Sequence, residues 1–209
     1  MSNNNFVITI GRQMGSGGRE LGRLLAERLG IDFYDKQLLL DAAKKSGLLP
    51  EIFERDDERS PSRLSGAIGI GMSLFGAGTI GGYIGDDMVY RAQSDVIREL
   101  GATKSCVIVG RTADYVLREH PQCISIFVHA PEEECIKRVI CRGDKDCENQ
   151  AKALCRKINK LRASYYNFYT DRTWGAASTY DLTINSALLP MDQIADLVAA
   201  YVRARIAAK

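Results

Sequence analysis

Positive charge and glycine meet in one short stretch of this chain. From Phe6 to Gly22 it reads FVITIGRQMGSGGRELG, with Arg12 and Arg19 on either side of Gly15, Ser16, Gly17 and Gly18. Glycines carry no Cβ, so consecutive backbone N–H groups can curl around an anion, and guanidinium groups meet phosphate oxygens in a planar, two-pronged way. The chemistry that suits this set is the binding of a phosphate chain. The flanking elements must then aim it. Phe6 to Ile10 is apolar and β-branched enough for a buried parallel strand, while Leu21, Leu24, Leu25 and Leu29 recur at helical spacing. The glycines therefore fall where strand becomes helix, and the positive end of the helix dipole faces the anion. A plain reversing turn requires neither so many glycines nor the arginines.

The widespread phosphate-loop pattern is GxxxxGK[ST], whose lysine meets the β and γ phosphates. This loop has no lysine, so its positive charge must come from Arg12, Arg19 or Arg23. Two other groups belong to the same chemistry. Asp35 and Arg111 each follow a short apolar run, Ile31 to Asp35 and Cys106 to Gly110, and ligands of an open parallel sheet gather beyond the carboxyl ends of its strands. Asp35 also fits a helix N-cap. The densest positive region holds Arg138, Arg142, Arg156, Lys157, Lys160 and Arg162; a solvated helix face is its plainest explanation.

Further apolar runs at Ile124 to Ala130 and Asp181 to Ser186 alternate with helical patterns, the last from Pro190 to Ile206. This alternation predicts a three-layer α/β/α domain around a parallel five-stranded sheet. A chain of 209 residues, 45% hydrophobic, suits one well-buried domain with a small insertion. The net charge of +2 is too small and too scattered for specific nucleic-acid binding. The six cysteines lack zinc-site spacing and follow no secretory signal, so they read as thiols in a reducing, cytoplasmic protein. Leu64 to Gly85 has no charged residue but eight glycines. So much glycine argues against a membrane span and for a mobile flap or an assembly surface, the latter making a homo-oligomer possible.

GRQMGSGGRELG, IDFYDKQLL at Ile31 to Leu39, CVIVGRTADYVL at Cys106 to Leu117 and YDLTINS at Tyr180 to Ser186 together resemble the cytidylate kinase-like family, with the weakest likeness between Asp56 and Asp86. The resemblance implies a single P-loop kinase-type domain over 1–209 with strand order 2-3-1-4-5. Within it, 49–86 would form the glycine-rich insertion or acceptor flap, and 142–175 a lid-like helical segment. It implies ATP and Mg2+ as cofactors and a small nucleotide acceptor similar to CMP or dCMP. Laid on the GSG of nucleoside monophosphate kinases, Gly15 to Gly17 leave Gly18 at the lysine position and Arg19 at the hydroxyl position. The donor phosphates then fall to Arg12, Gly15, Ser16, Gly17, Gly18 and Arg19. Catalysis falls to Arg162 and Arg156 of the lid, Arg111 at the acceptor phosphate, and Asp35, which would organise magnesium and acceptor. Several positions depart from the pattern. Thr112 replaces a base-reading aspartate, with Asp114 two residues on; Asn159 replaces a lid aspartate; and Leu38 to Leu40 replace a tyrosine-arginine pair. Asn185 and Ser186 are the polar candidates near the adenine. The alternative is a nucleotide-binding regulatory protein that keeps the fold without turnover.

Overall fold

In this computed structural model, residues 5–45 and 80–208 are described. Their elements run β1 (Val7–Arg12), α1 (Gly18–Leu29), β2 (Asp32–Tyr34), α2 (Lys36–Lys45), α3 (Ile80–Thr103), β3 (Cys106–Val109), α4 (Ala113–Val116), β4 (Cys123–His129), α5 (Glu132–Cys141), α6 (Glu148–Thr170), a 3-10 turn at Ala177–Thr179, β5 (Leu182–Asn185) and α7 (Met191–Ala207). The chain divides into two compact units, Met1–Lys36 with Arg98–Lys209, and Gln37–Ile97. The second unit thus takes in α2 and most of α3 besides the expected 49–86 insertion, of which 49–79 lies outside the described residues.

The first unit contains the whole sheet, five parallel strands in the order β2-β3-β1-β4-β5. Strands covered on both faces are continuously apolar, as VITI, CVIV and ISIFV are. Ile8, Ile10, Ile126 and Val128 pack beneath Leu21 and Leu25 of α1 and Val198 and Val202 of α7; burying each such side chain contributes about 1.5–3 kcal/mol. A smaller cluster, Cys135, Ile136, Val139, Ala151 and Cys155, joins α5 to α6. Phe127, Tyr166 and Tyr180 form a third with Trp174, whereas Phe168 is 72% exposed. All six cysteines are free thiols.

In the second unit, Gln37 Nε2 donates to Asp41 Oδ1 within α2, and Ser94 Oγ donates to the Tyr90 carbonyl within α3. The sequence pattern predicts a helix from Asp86, but α3 starts at Ile80 and includes Gly81, Gly82 and Gly85. Each glycine costs about 1 kcal/mol in a helix. Once the amphipathic turns around Ala92 and Val96 have formed, however, extension adds a hydrogen bond for each residue fixed. No described helix is long and apolar enough to cross a membrane.

Candidate active site

The loop between β1 and α1 is fastened from outside by side chains. Gln13 N–H donates to the Val128 carbonyl at 3.0 Å, and Gln13 Oε1 accepts from Ala130 N–H at 3.2 Å, tying the loop to the end of β4. Met14 N–H donates to Asn159 Oδ1 at 2.7 Å. Ser186 Oγ donates to the Ser16 carbonyl at 2.6 Å, and the Arg138 guanidinium in turn donates to Ser186 Oγ at 2.8 Å and to its carbonyl at 2.7 Å. Ser186 is fully buried by this task, so the structure uses it to hold the loop. Gly15 has φ 80°, and a Cβ there would stand 2.8 Å from the Cys135 Cα and 2.9 Å from its carbonyl carbon. Backbone cannot yield as a side chain can, so the close approach to α5 requires glycine. The N-cap Gly17 supplies no capping side chain, which leaves the first N–H groups of α1 for an anion.

Arg12 ends β1 and is the centre of the positive charge. If Gly17 is the second glycine of the GxxxxGK[ST] pattern, the first falls on Arg12 and the lysine on Gly18. The two departures are one steric exchange: a Cβ at Gly18 would lie 2.5 Å from the Arg12 Cβ and 3.1 Å from its Cγ. The Arg12 stem therefore occupies the space a residue-18 side chain would need. Its guanidinium lies against Gly110 at the end of β3, where a Cβ would collide with Nη1, so Arg12 threads between two glycines. Burial, then the guanidinium groups of Arg162 and Arg111, drive the Arg12 pKa well below its usual value, with Asp35 opposing. Arg162 approaches from α6 and donates to the Arg12 carbonyl at 3.0 Å; burial, then Arg142, lowers its own pKa to about 10. Among the described residues neither Arg12 nor Arg162 has an ion pair.

Arg19 meets Asp35, with Nε at 2.8 Å and Nη2 at 2.6 Å from the same carboxylate oxygen. The arginine side chain is 65% exposed and the aspartate 9%, so the acid is the fixed member of the pair. Gly110, Arg111 and Thr112 all have left-handed backbones, φ 84°, 61° and 53°, and turn the chain sharply after β3. Two of the three carry a Cβ, an arrangement that costs free energy and is concentrated at functional sites. Thr112 is buried, and Asp114 accepts a 2.5 Å hydrogen bond from Tyr166, its carboxyl pKa raised chiefly by burial.

One face of α6 makes these contacts. Cys155, Asn159, Arg162 and Tyr166 follow helical spacing, and they reach in turn the α5 cluster, the loop, the end of β1 and α4. Arg156 lies on another face. Its Nε is 2.7 Å from Glu132 Oε1 at the start of α5, and that acid also draws Lys152 to 3.6 Å. The structure thus brings Arg12, Arg19, Asp35, Arg111 and Arg162 around the loop, while Arg156 is engaged with α5. Gln13, Arg138 and the holding role of Asn159 escape a reading by residue type, since each acts through a backbone group distant in sequence. The only signal for Asn159 is its departure from the expected aspartate, and an amide oxygen accepts from Met14 N–H as a carboxylate would.

Among the described residues there is no group of three or more metal-ligating side chains. Magnesium in phosphate-transfer sites is held largely by phosphates and water with one or two carboxylates, and Asp35 fits that single role.

Known proteins resemble the chain along the same lines. Residues 7–188 match the cytidylate kinase-like family. A shikimate kinase from Ruegeria pomeroyi is 44% identical over 52 residues, a match spanning 25% of this chain and 26% of that protein. The solved structure of an uncharacterized protein from Eubacterium ventriosum superposes with a TM-score of 0.72 at 28% identity, covering 95% of this chain and 99% of the other. A shikimate kinase from Acinetobacter baumannii in complex with shikimate (TM-score 0.52, 20% identity, 96% and 94% covered) and a gluconokinase from Sinorhizobium meliloti (0.53, 15%, 95% and 92%) share the fold.

Proposed function

Because this chain belongs to the cytidylate kinase-like family, we propose that it transfers a phosphoryl group from ATP to a small acceptor, with Mg2+ neutralising the donor phosphates. The supporting observation is the convergence of Arg12 and Arg162, neither with an ion pair among the described residues, on a loop whose helix N-terminus is uncapped. Like charges packed together cost free energy until a polyanion joins them, so phosphate binding relieves a strain already present. In this reading the amides from Gly15 to Gly18 and the guanidinium groups of Arg12 and Arg19 hold the donor. Arg162 meets charge that spreads over the transferred group, and Arg111 faces the acceptor. Asp35 would hold the Mg2+, which supplies charge neutralisation at the donor phosphates, once phosphate draws the exposed Arg19 away from it. Positioning and charge neutralisation then supply the catalysis, with no covalent nucleophile.

A nucleoside monophosphate such as CMP or dCMP is the acceptor suggested by the family. Recognition of its base would have to come from groups other than Thr112 and Asp114, since one is buried and the other is held by Tyr166. The test is ADP release in the presence of ATP and Mg2+ against a panel of nucleoside monophosphates, shikimate, gluconate and small alcohols. Acceptor-dependent release with at least one compound is expected. Tight ATP binding with no acceptor-dependent release across the panel would replace this reading with that of a regulatory nucleotide binder.

A further inference from the structure

One cation beside the loop has no part in the account above. Lys36 directly follows Asp35 and opens α2. It lies two residues beyond Tyr34, which pairs with Ile108 of β3, and Ile108 pairs in turn with Thr9 of β1. Arg111 and Arg12 each lie three residues beyond those partners. Lys36, Arg111 and Arg12 thus leave three adjacent parallel strands in nearly one row. Strands are spaced about 4.8 Å apart, so Lys36 and Arg111 leave neighbouring strands close enough for two long side chains to meet one oxyanion, with Arg12 one strand farther on.

The charges around Lys36 leave it uncompensated. Arg111 and Arg12, just beyond the ends of β3 and β1, act on the partly buried Lys36 as like charges. Its chain neighbour Asp35 is engaged by Arg19 from α1. Among the described residues the Lys36 side chain has neither an ion pair nor a hydrogen bond. An ammonium packed against two guanidinium groups is costly unless an anion lies between them.

Resting on the kinase reading, we propose that Lys36 and Arg111 form the seat for a phosphate group carried by the acceptor, Lys36 supplying a point charge from the β2 side and Arg111 a fork from the β3 side. The seat is separate from the loop that holds the donor, so the two anions bind at once.

The test uses inorganic phosphate as the probe. Wild type, Lys36→Met and Lys36→Arg, each saturated with ADP and Mg2+ to fill the loop, are titrated with phosphate by calorimetry near pH 7. Wild type should bind one phosphate near pH 7, and Lys36→Met should weaken it at least about tenfold while ADP affinity stays within about twofold. Lys36→Arg keeps its charge and should bind phosphate closer to wild type than Lys36→Met does, which separates a charge effect from damage to the fold. Phosphate binding equal in wild type and Lys36→Met, or undetectable in wild type at millimolar phosphate, overturns the seat; if ADP still binds, the kinase reading stands. Lys36-dependent phosphate binding without ADP binding has the opposite meaning: the seat holds and the kinase reading falls.

Discussion

The two halves of the charged site are built differently. On the donor side nearly every turn of the loop is held by another element: Gln13 by backbone groups at the end of β4, Met14 by the Asn159 side chain, Ser16 by those of Ser186 and Arg138, and the end of β1 by Arg162. On the acceptor side the cations come straight off strand ends, Arg111 from a run of left-handed residues and Lys36 from the first position of α2. Neither makes an ion pair among the described residues. The difference teaches where specificity resides. A preorganised cradle suits a ligand of constant shape, such as a phosphate chain, because its geometry is fixed before binding. Bare charges at strand ends fix the sign of the acceptor more than its shape.

The strongest test of the donor half is the steric exchange between Arg12 and Gly18. Gly18→Lys restores the residue of the common phosphate-loop pattern, but its Cβ requires the space of the Arg12 stem. Overpacking of roughly 1–3 kcal/mol adds to the loss of a charge-assisted contact of roughly 1.5–3 kcal/mol. ATP affinity measured by calorimetry should therefore fall by at least about a hundredfold. The double variant Arg12→Gly with Gly18→Lys should recover part of that loss. No recovery, or an undisturbed single variant, would mean that Arg12 and Gly18 do not depend on each other.

Arg162→Ala is next. Removal of one preorganised charge donor costs about 2.7–4 kcal/mol in the chemical step, and kcat should drop by about 10²-fold or more. Since Arg162 also holds the Arg12 carbonyl in the free protein, KM for ATP should rise several-fold as well. A change in KM alone would restrict Arg162 to the cradle and leave the transition state to other groups.

Asn159→Ala removes the acceptor of Met14 N–H and leaves a partly buried donor unpaired, at about 1–3 kcal/mol. ATP should bind roughly tenfold more weakly, with kcat nearly kept. Asn159→Asp retains an acceptor oxygen and should bind ATP closer to wild type in the same titration. Equal losses in both variants would show that the amide matters for something other than this hydrogen bond.

Much of this molecule was legible before its structure. Runs of five to seven residues placed all five strands to within a residue or two; the three central strands are the apolar ones because they are buried on both faces, whereas the edge strands β2 and β5 are only partly buried. The strand order came from the family resemblance and could not have come from the runs themselves. The glycine loop was legible for the same local reason, since strand, glycines and helix are contiguous. What fastens the loop was not. Met14 and Asn159 are 145 residues apart and Ser16 and Ser186 are 170 apart, so no local pattern links them. Gly110 read as a strand terminator, whereas it makes room for Arg12. Lys36 read as the opening of a helix, and only the register of β2 against β3 and β1 sets it beside Arg111.

The smallest expected effect comes from the second lid arginine. Residue type and density placed Arg156 and Arg162 in one positive cluster, but six residues along an α-helix turn through roughly 240° beyond a full turn, so the two cannot share a narrow face. Arg162 reaches the end of β1, while Arg156 makes a two-pronged pair with Glu132 at an exposed site between α5 and α6. Exposed pairs of this kind contribute little to stability and are screened by salt. Arg156→Ala should therefore leave kcat and KM for ATP within about twofold of wild type, and Glu132→Gln, which frees Arg156, should do the same. The comparison between the halves depends on this outcome. If Arg156→Ala lowered kcat as far as Arg162→Ala, α6 would have to rotate or slide during turnover to bring a second guanidinium onto the phosphates. The contacts of Asn159 and Arg162 would then break in each cycle, and the donor half would be a moving clamp. Unchanged kinetics in both variants would support a cradle that keeps these contacts throughout.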